Sequence, residues 1–492
     1  MARLTVALLS LALIGCSPEP DKTSDPTLVV DPTPDPIDPK EPTDTEITCD
    51  SVDRANCVEI AAGDSAALQD AVNTLEDDSA IVLAEGTYVL DNQVTVRGSD
   101  GFTLIGQGID VTILDFSTQM TQANGVDIVG DDVHVEGFTI HEAQKDGLRI
   151  EESDGVVIRA IKANWENEND STNGAYGLYP VRVSHVLMED SEAYNASDAG
   201  IYVGQCQHAI VRNNTAMRNV AGIEIENTQF ADVYGNHAED NTGGLVVFDL
   251  PGNPVVGRDV LIRDNTIVRN NRENFASPGT TVALIPPGTG TFAMASRRIE
   301  ITGNTFDTND TADIALLSGF IVDGNPASWY VPNADLIGDI SGIEAELFAD
   351  ADGIHTFRTF DVYVHDNTHA GSGTSPYLDI VNDPDNPANV FGLLHLALGG
   401  PPLGNVLYDA IGESMFSATD AVGNSNDNRI CVVANEGVNL MSIDLEAIDA
   451  DINQYGPRGD VWISEMLYQP AAPFAPFDCV GPALIGPDSV DQ

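Results

Sequence analysis

Residues 200–219 read GIYVGQCQHAIVRNNTAMRN and residues 222–241 read GIEIENTQFADVYGNHAEDN. Each opens with a glycine and an alternating apolar strand, and each sets one asparagine five residues before another, Asn214 with Asn219 and Asn236 with Asn241. Outward from these two stretches the strand recurs as VDIV at 126, LRIEE at 148, LYPVRV at 178, IYVGQ at 201, IEIEN at 223 and LVVFD at 245, at spacings of 22, 30, 23, 22 and 22 residues. The paired Asx recurs in a second, offset series that adds Asp190 with Asn195, Asn265 with Asn270 and Asn304 with Asn309. An aliphatic residue stands three positions before the first member of every pair: Leu187, Val211, Val233, Ile262 and Ile301. Helices do not use recurring Gly and Asn with period-two apolar strands. Stacked β-coils do, because an asparagine in one coil can bond its equivalent in the next, so a solenoid is predicted.

A coil of about 22 residues with three short strands matches the right-handed parallel β-helix, an all-β fold. The opening of the folded region agrees. DSAALQDAVNTLEDD (64–78) is amphipathic, with Ala67, Leu68, Ala71, Val72 and Leu75 on one face, and is expected to cap the open apolar end of the stack. It is followed by AIVLAEGTYVL (80–90) and FTLIGQGIDVTILD (102–115). This entry, a cap helix followed by GTYVL and then LIGQG…TILD, resembles the pectin-lyase-like superfamily. The 200–241 repeats resemble the parallel β-helix repeat proteins that are often exported lipoproteins. The resemblance implies the fold and leaves the reaction open, since the superfamily holds lyases, hydrolases, epimerases, esterases and binding proteins. It is firm over 57–310 and looser over 311–430. There, 320–358 reads as an insertion containing Trp329, Tyr330 and a short helical stretch, IEAELFADA, and 429–440 reads as a final strand pair.

The N-terminus gives an address. Arg3 precedes an apolar run, Leu4 to Ile14, that has the length of a signal-peptide core and ends in LIGC (13–16). LIGC resembles a bacterial lipobox, which implies lipidation at Cys16. The expected location is outside the cytoplasm, lipid-anchored at the outer membrane, cell surface or periplasm. Residues 17–48 hold eight prolines and nine acids, a composition that stays extended and reaches up to ~100 Å at ~3.1 Å per residue. The expected organisation is therefore a signal peptide over 1–16, a tether over 17–48, a β-helix over 49–430 and a C-terminal cap over 431–492.

Charge narrows the partners. The 492-residue chain carries 77 acidic and 21 basic residues, a formal net charge of −56. Such a surface repels phosphates, so nucleic acid is excluded as a partner. An exported chain meets an oxidising compartment. Cys49 with Cys57 and Cys431 with Cys479 are the expected local disulfides, leaving Cys206 free and buried; spacing alone does not prove the connectivity.

Chemistry is expected on the outward face of the post-glycine strands. Side chains alternate, so Leu148, Ile150, Leu178, Pro180, Ile201, Val203, Ile223, Ile225, Leu245 and Val247 face the core. One outward column then reads Arg149, Tyr179, Tyr202, Glu224, Val246, and a second reads Glu151, Val181, Gly204, Glu226, Phe248. Lys145, Asp146, Tyr176 and Asp198 stand just before the strands, and Arg182 just after one. Exposed tyrosines offer flat apolar area to sugar rings, while arginine and carboxylates bond hydroxyls and uronate groups. Gly204 is expected to leave a dip beside Tyr202, and the 163–175 loop to wall the groove with Trp165. The alternative is a ladder of Tyr and Glu that stabilises the sheet without any ligand.

Catalysis is less clearly written. YGLYPVR (176–182) resembles the motif region of mannuronan epimerases, but Tyr179, Val181 and Arg182 stand where that family has Asp, His and Asp. That family's acid and base are therefore missing. Lyase chemistry needs a charge neutraliser and a base, for which Arg149 with Tyr179 or Tyr202, and Glu224, are the weak candidates. Glu166, Glu168 and Asp170 are of the type that holds Ca2+, yet no EF-hand or nonapeptide motif is present, so no cofactor is expected and Ca2+ is kept only as an alternative. The reading is a monomeric, lipid-anchored β-helix that binds, and in one version processes, a polysaccharide. The competing readings are a polysaccharide lyase or epimerase and an assembly lipoprotein that docks another envelope protein.

Overall fold

The computed structural model describes residues 46–343, 347, 351–381, 389–397, 399–400, 402–409, 426–443, 467–468 and 474–487. The signal, the lipobox Cys16 and most of the tether lie outside these residues, as do 344–346 and 348–350 of the expected IEAELFADA helix.

Each coil contributes three strands. In one turn they are Ala199–Gly204, Gln207–Arg212 and Thr215–Met217, and the next begins at Ala221–Glu226. Stacking is parallel throughout the solenoid, with Ile201 opposite Ile223, Ala209 opposite Ala231 and Ala216 opposite Ala238. The post-glycine strands form one 12-stranded sheet, and the other two strand types form a continuous 20-stranded sheet bent around the core. The side chains read as inward, Leu148, Ile150, Leu178, Ile201, Val203, Ile223, Ile225, Leu245 and Val247, are buried in one long apolar core. Stacking continues past residue 430, where Ile430–Val433 and Leu440–Ile443 still pair with the coil before them.

A helix spans Ser65–Val72, shorter than the amphipathic stretch suggested. Asp64 caps it by accepting the Ala67 amide at 3.0 Å, and Leu68 and Val72 are buried. Disulfides join Cys49 to Cys57 and Cys431 to Cys479, and Cys206 is free and buried. Burial pushes the Cys206 thiol up to about 12, which leaves it inert.

Two buried asparagine files run through the later coils of the stack. In the first, the Asn214 amide donates to Asn236 Oδ1, Asn236 to Asn265, Asn265 to Asn304 and Asn304 to Asn367, at 2.9–3.0 Å. The second runs Asn219, Asn241, Asn270, Asn309 and ends on Ser372. The pair Asp190 and Asn195 does not join them. The partners are Ser191, whose amide donates to Asn214, and Ala196, whose amide donates to Asn219. Asp190 is exposed, one position out of register.

Candidate functional site

The outward columns have the expected register. Tyr179 pairs with Arg149, Tyr202 with Glu224, Glu224 with Val246, and Gly204 with Glu226. The expectation that they face solvent fails below the first coils. Tyr202 is 3% exposed, Glu224 1% and Glu226 7%, whereas Tyr176 and Tyr179 are partly buried and Lys145 and Arg182 are exposed. The reason lies far along the chain. Residues 271–288 cross the outer face of the sheet and pack Phe275, Val282 and Ile285 with Tyr202, Ala221 and Val246. Arg272 ties this strap to the 163–175 loop, with Nη1 2.6 Å from Asn169 Oδ1, while its Nη2 donates to Asp240 at 2.6 Å. Farther along, Trp329 joins the same outer cluster with Phe292 and Leu317. The sequence held one signal of this cover: the outward columns turn apolar at Val246 and Phe248, which needs something laid over them.

Under the strap the three tyrosines form one group. Ring centroids are 4.5 Å apart for Tyr176 and Tyr179, 4.7 Å for Tyr176 and Tyr202 and 4.8 Å for Tyr179 and Tyr202. The expected dip at Gly204 is filled, because the Tyr202 ring lies over it; a Cβ there would come within 2.0 Å of the hydroxyl. Trp165 does not wall the site. It points inward, 3% exposed, donates to the Ala143 carbonyl at 2.7 Å and belongs to the inner core.

Four carboxylates stand beside the tyrosines. Burial raises all of them: Asp146 upward, Asp198 to about 7, Glu226 to about 8, and Glu224 well above the carboxylate range, each further raised or held by its acidic neighbours except where Lys145 and Arg149 relieve Asp146. The Tyr176 hydroxyl serves Asp198 and the Tyr202 hydroxyl serves Glu226. Glu224 Oε2 is buried with no hydrogen-bond partner. Lys145 Nζ lies 3.4 Å from Asp146 Oδ2. Arg149 and Arg182 both engage Glu151, and Arg182 also reaches Glu152 at 3.2 Å.

These facts revise the catalytic candidates. Burial pushes Tyr179 up to about 12 and raises Tyr202 well above its ordinary value, so at neutral pH both are proton donors and neither is a base. Arg149 is not a free charge neutraliser, since Glu151 already holds it. Glu224, by contrast, is raised well above its ordinary value by burial and by its neighbours Asp198 and Glu226, the direction a general acid needs. Glu226 and Asp198 titrate close to neutrality, the range suited to a proton acceptor. The strap is the part that residue patterning did not single out.

The carboxylates considered for Ca2+ are otherwise occupied. Glu166 lies 3.6 Å from His141, Glu168 lies 3.3 Å from Arg272, and Asp170 accepts from Thr172 at 2.9 Å. Among the described residues, no three His, Cys, Asp or Glu side chains come together to hold a metal ion.

A family model described as the right handed beta helix region matches residues 94–260 and, overlapping it, 173–326. Comparison with curated proteins found no match. Among solved structures, the chain is similar to the A-module of the mannuronan C-5 epimerase AlgE4 from Azotobacter vinelandii, at 13% identity and a TM-score of 0.39 over 64% of this chain and 87% of that one. It is also similar to pectate lyase Pel9A, at 14% identity and a TM-score of 0.37 over 61% and 86%, and to the Dettilon tailspike protein, at 14% identity and a TM-score of 0.36 over 52% and 56%.

Proposed function

We propose that this right-handed parallel β-helix, of the pectin-lyase-like kind, is an exported protein, lipid-anchored through Cys16, that binds a polysaccharide at the tyrosine–carboxylate site. The observation that carries the reading is the burial of Asp198, Glu224 and Glu226 beside three tyrosines in mutual ring contact. Buried carboxylates weaken a fold unless paired, and the following coils show the cheaper solution, filling the same outward positions with Val246, Phe248, Phe292 and Met294. Strongly perturbed groups gathered at one place mark a functional site. Tyr179, partly exposed and flanked by Arg149 and Arg182, offers the first platform to a sugar ring, and the carboxyl groups behind it offer donors and acceptors to its hydroxyls. For turnover, Glu224 is the proton donor, with Glu226 or Asp198 as its ionising partner.

The test is a binding and product screen of the purified full chain against oligosaccharides of differing charge. Tyr179→Ala should weaken binding of any hit by about 1 kcal/mol, or about fivefold in Kd, read at a temperature where the variant, which loses its ring contacts to Tyr176 and Tyr202, is still folded. Affinity indifferent to Tyr179→Ala moves the site elsewhere. No oligosaccharide binding, together with a stably co-purifying envelope protein, favours the docking reading instead.

A further inference from the structure

The chain's own charges point to the kind of sugar. Three buried carboxylates, Asp198, Glu224 and Glu226, lack any cation: among the described residues no Lys, Arg or His pairs with them, and the charges each one feels, from Asp146, Asp249 and one another, are acidic. The positive groups nearby are spent. Lys145 sits on Asp146, Arg149 and Arg182 share Glu151, and Arg297 is bonded to Asp249. The strap adds Arg272, which is held by Asp240, and the exposed Glu273. An anionic sugar entering here would meet excess negative charge, against which Arg149 offers only its Nε, its Nη2 being engaged by Glu151. Glu224 Oε2 is fully buried with no hydrogen-bond donor among the described residues, so an N–H of a ligand would satisfy it.

Taking the glycan reading as given, we infer that the site is built for a polysaccharide bearing free primary amines, an amino-sugar polymer whose ammonium groups supply the cations that Asp198, Glu224 and Glu226 lack. A metal ion does not fill this role, since no three ligands converge on one point among the described residues. The tyrosine rings suit both the sugar faces and the cationic charge. A net charge of −56 draws a polycation to the surface before it reaches the site. Because the carboxyl groups hold protons in the free protein, an arriving ammonium must displace them, and binding releases protons.

The experiment is isothermal titration calorimetry of the full chain at neutral pH, in two buffers of different ionisation enthalpy. The probes are a glucosamine hexamer, its fully N-acetylated counterpart and an oligouronate of the same length. The glucosamine hexamer is expected to bind about tenfold or more tighter than the acetylated one and to release protons, and Glu224→Gln should remove about tenfold of that preference. Non-specific attraction to the acidic surface is separated by Asp131→Asn, an exposed position, which should leave the affinity unchanged. Equal or tighter binding of the acetylated or uronate probe, or no proton release, overturns the amine inference while the glycan reading stands. An amine preference that Asp131→Asn lowers as much as Glu224→Gln overturns it too. Binding of none of the three removes both.

Discussion

Glu226 shows what burial does to a residue whose position, but not whose environment, was legible. Its outward placement beside Gly204 follows from strand alternation; its cover comes from residues 271–288 and cannot be read from a period of about 22. Burial raises its carboxyl from the ordinary 4.5 to about 8, and Asp198 rises from 3.8 to about 7. Between those values the folded chain holds protons that the unfolded chain has already lost. Stability contributed by these groups therefore declines as pH rises from about 4.5 to about 8 and levels off above it. Glu226→Gln keeps the acceptor facing Tyr202 and removes the ionisation. It should stabilise the protein by on the order of 1–3 kcal/mol at pH 8 and change it little at pH 4. Denaturation midpoints measured across that range check this, and parallel pH curves for the variant and the parent would contradict the buried-acid account.

At the scale of elements, the asparagine files carry the stack. Asn241 Oδ1 accepts from the Asn219 amide at 2.9 Å and from Asn219 Nδ2 at 3.1 Å, while its own Nδ2 donates to the Ala216 carbonyl at 2.9 Å. Each asparagine so satisfies backbone groups that the bend takes out of the ladder, at a position with no access for water. Asn241→Ala strands these partners and should cost about 2–4 kcal/mol, read as a lowered midpoint in chemical denaturation. Asp190→Ala provides the contrast. Its spacing to Asn195 imitates the pairs below it, yet Ser191 occupies the ladder position and Asp190 is exposed, so its loss should stay within about 0.5 kcal/mol. Periodicity found both files because their signal repeats in every coil. It misplaced their beginning by one residue because a serine and an alanine stand there, Ser191 accepting the Ile161 amide on its Oγ and Ala196 offering only its own amide, and neither leaves an asparagine to read. The strap and Trp329 occur once each and have no period to betray them.

At the scale of the molecule, the solenoid joins a repetitive scaffold to ends that are held covalently. Cys49–Cys57 fastens the first strand region, and Cys431–Cys479 ties the segment around Cys479 to the last coil of the long sheet. Disulfides at both ends suit a compartment that keeps thiols oxidised, the kind of location proposed from the apolar run at Leu4–Ile14. A surface of net charge −56 has no affinity for anionic headgroups, so adhesion of the folded part to a membrane would need a separate device. The proposed device is the lipid on Cys16, with residues 17–48 as spacer. Hydrophobic anchoring scales with buried acyl chain, so a chain lipidated at Cys16 should partition with detergent-extracted membrane and withstand high salt, which strips electrostatic attachment only. Cys16→Ser should move the protein to the soluble or unprocessed fraction while the proposed glycan-binding site, which does not include Cys16, keeps its affinity. Membrane fractionation unchanged by Cys16→Ser would mean that something other than a lipid at Cys16 holds the protein at the envelope.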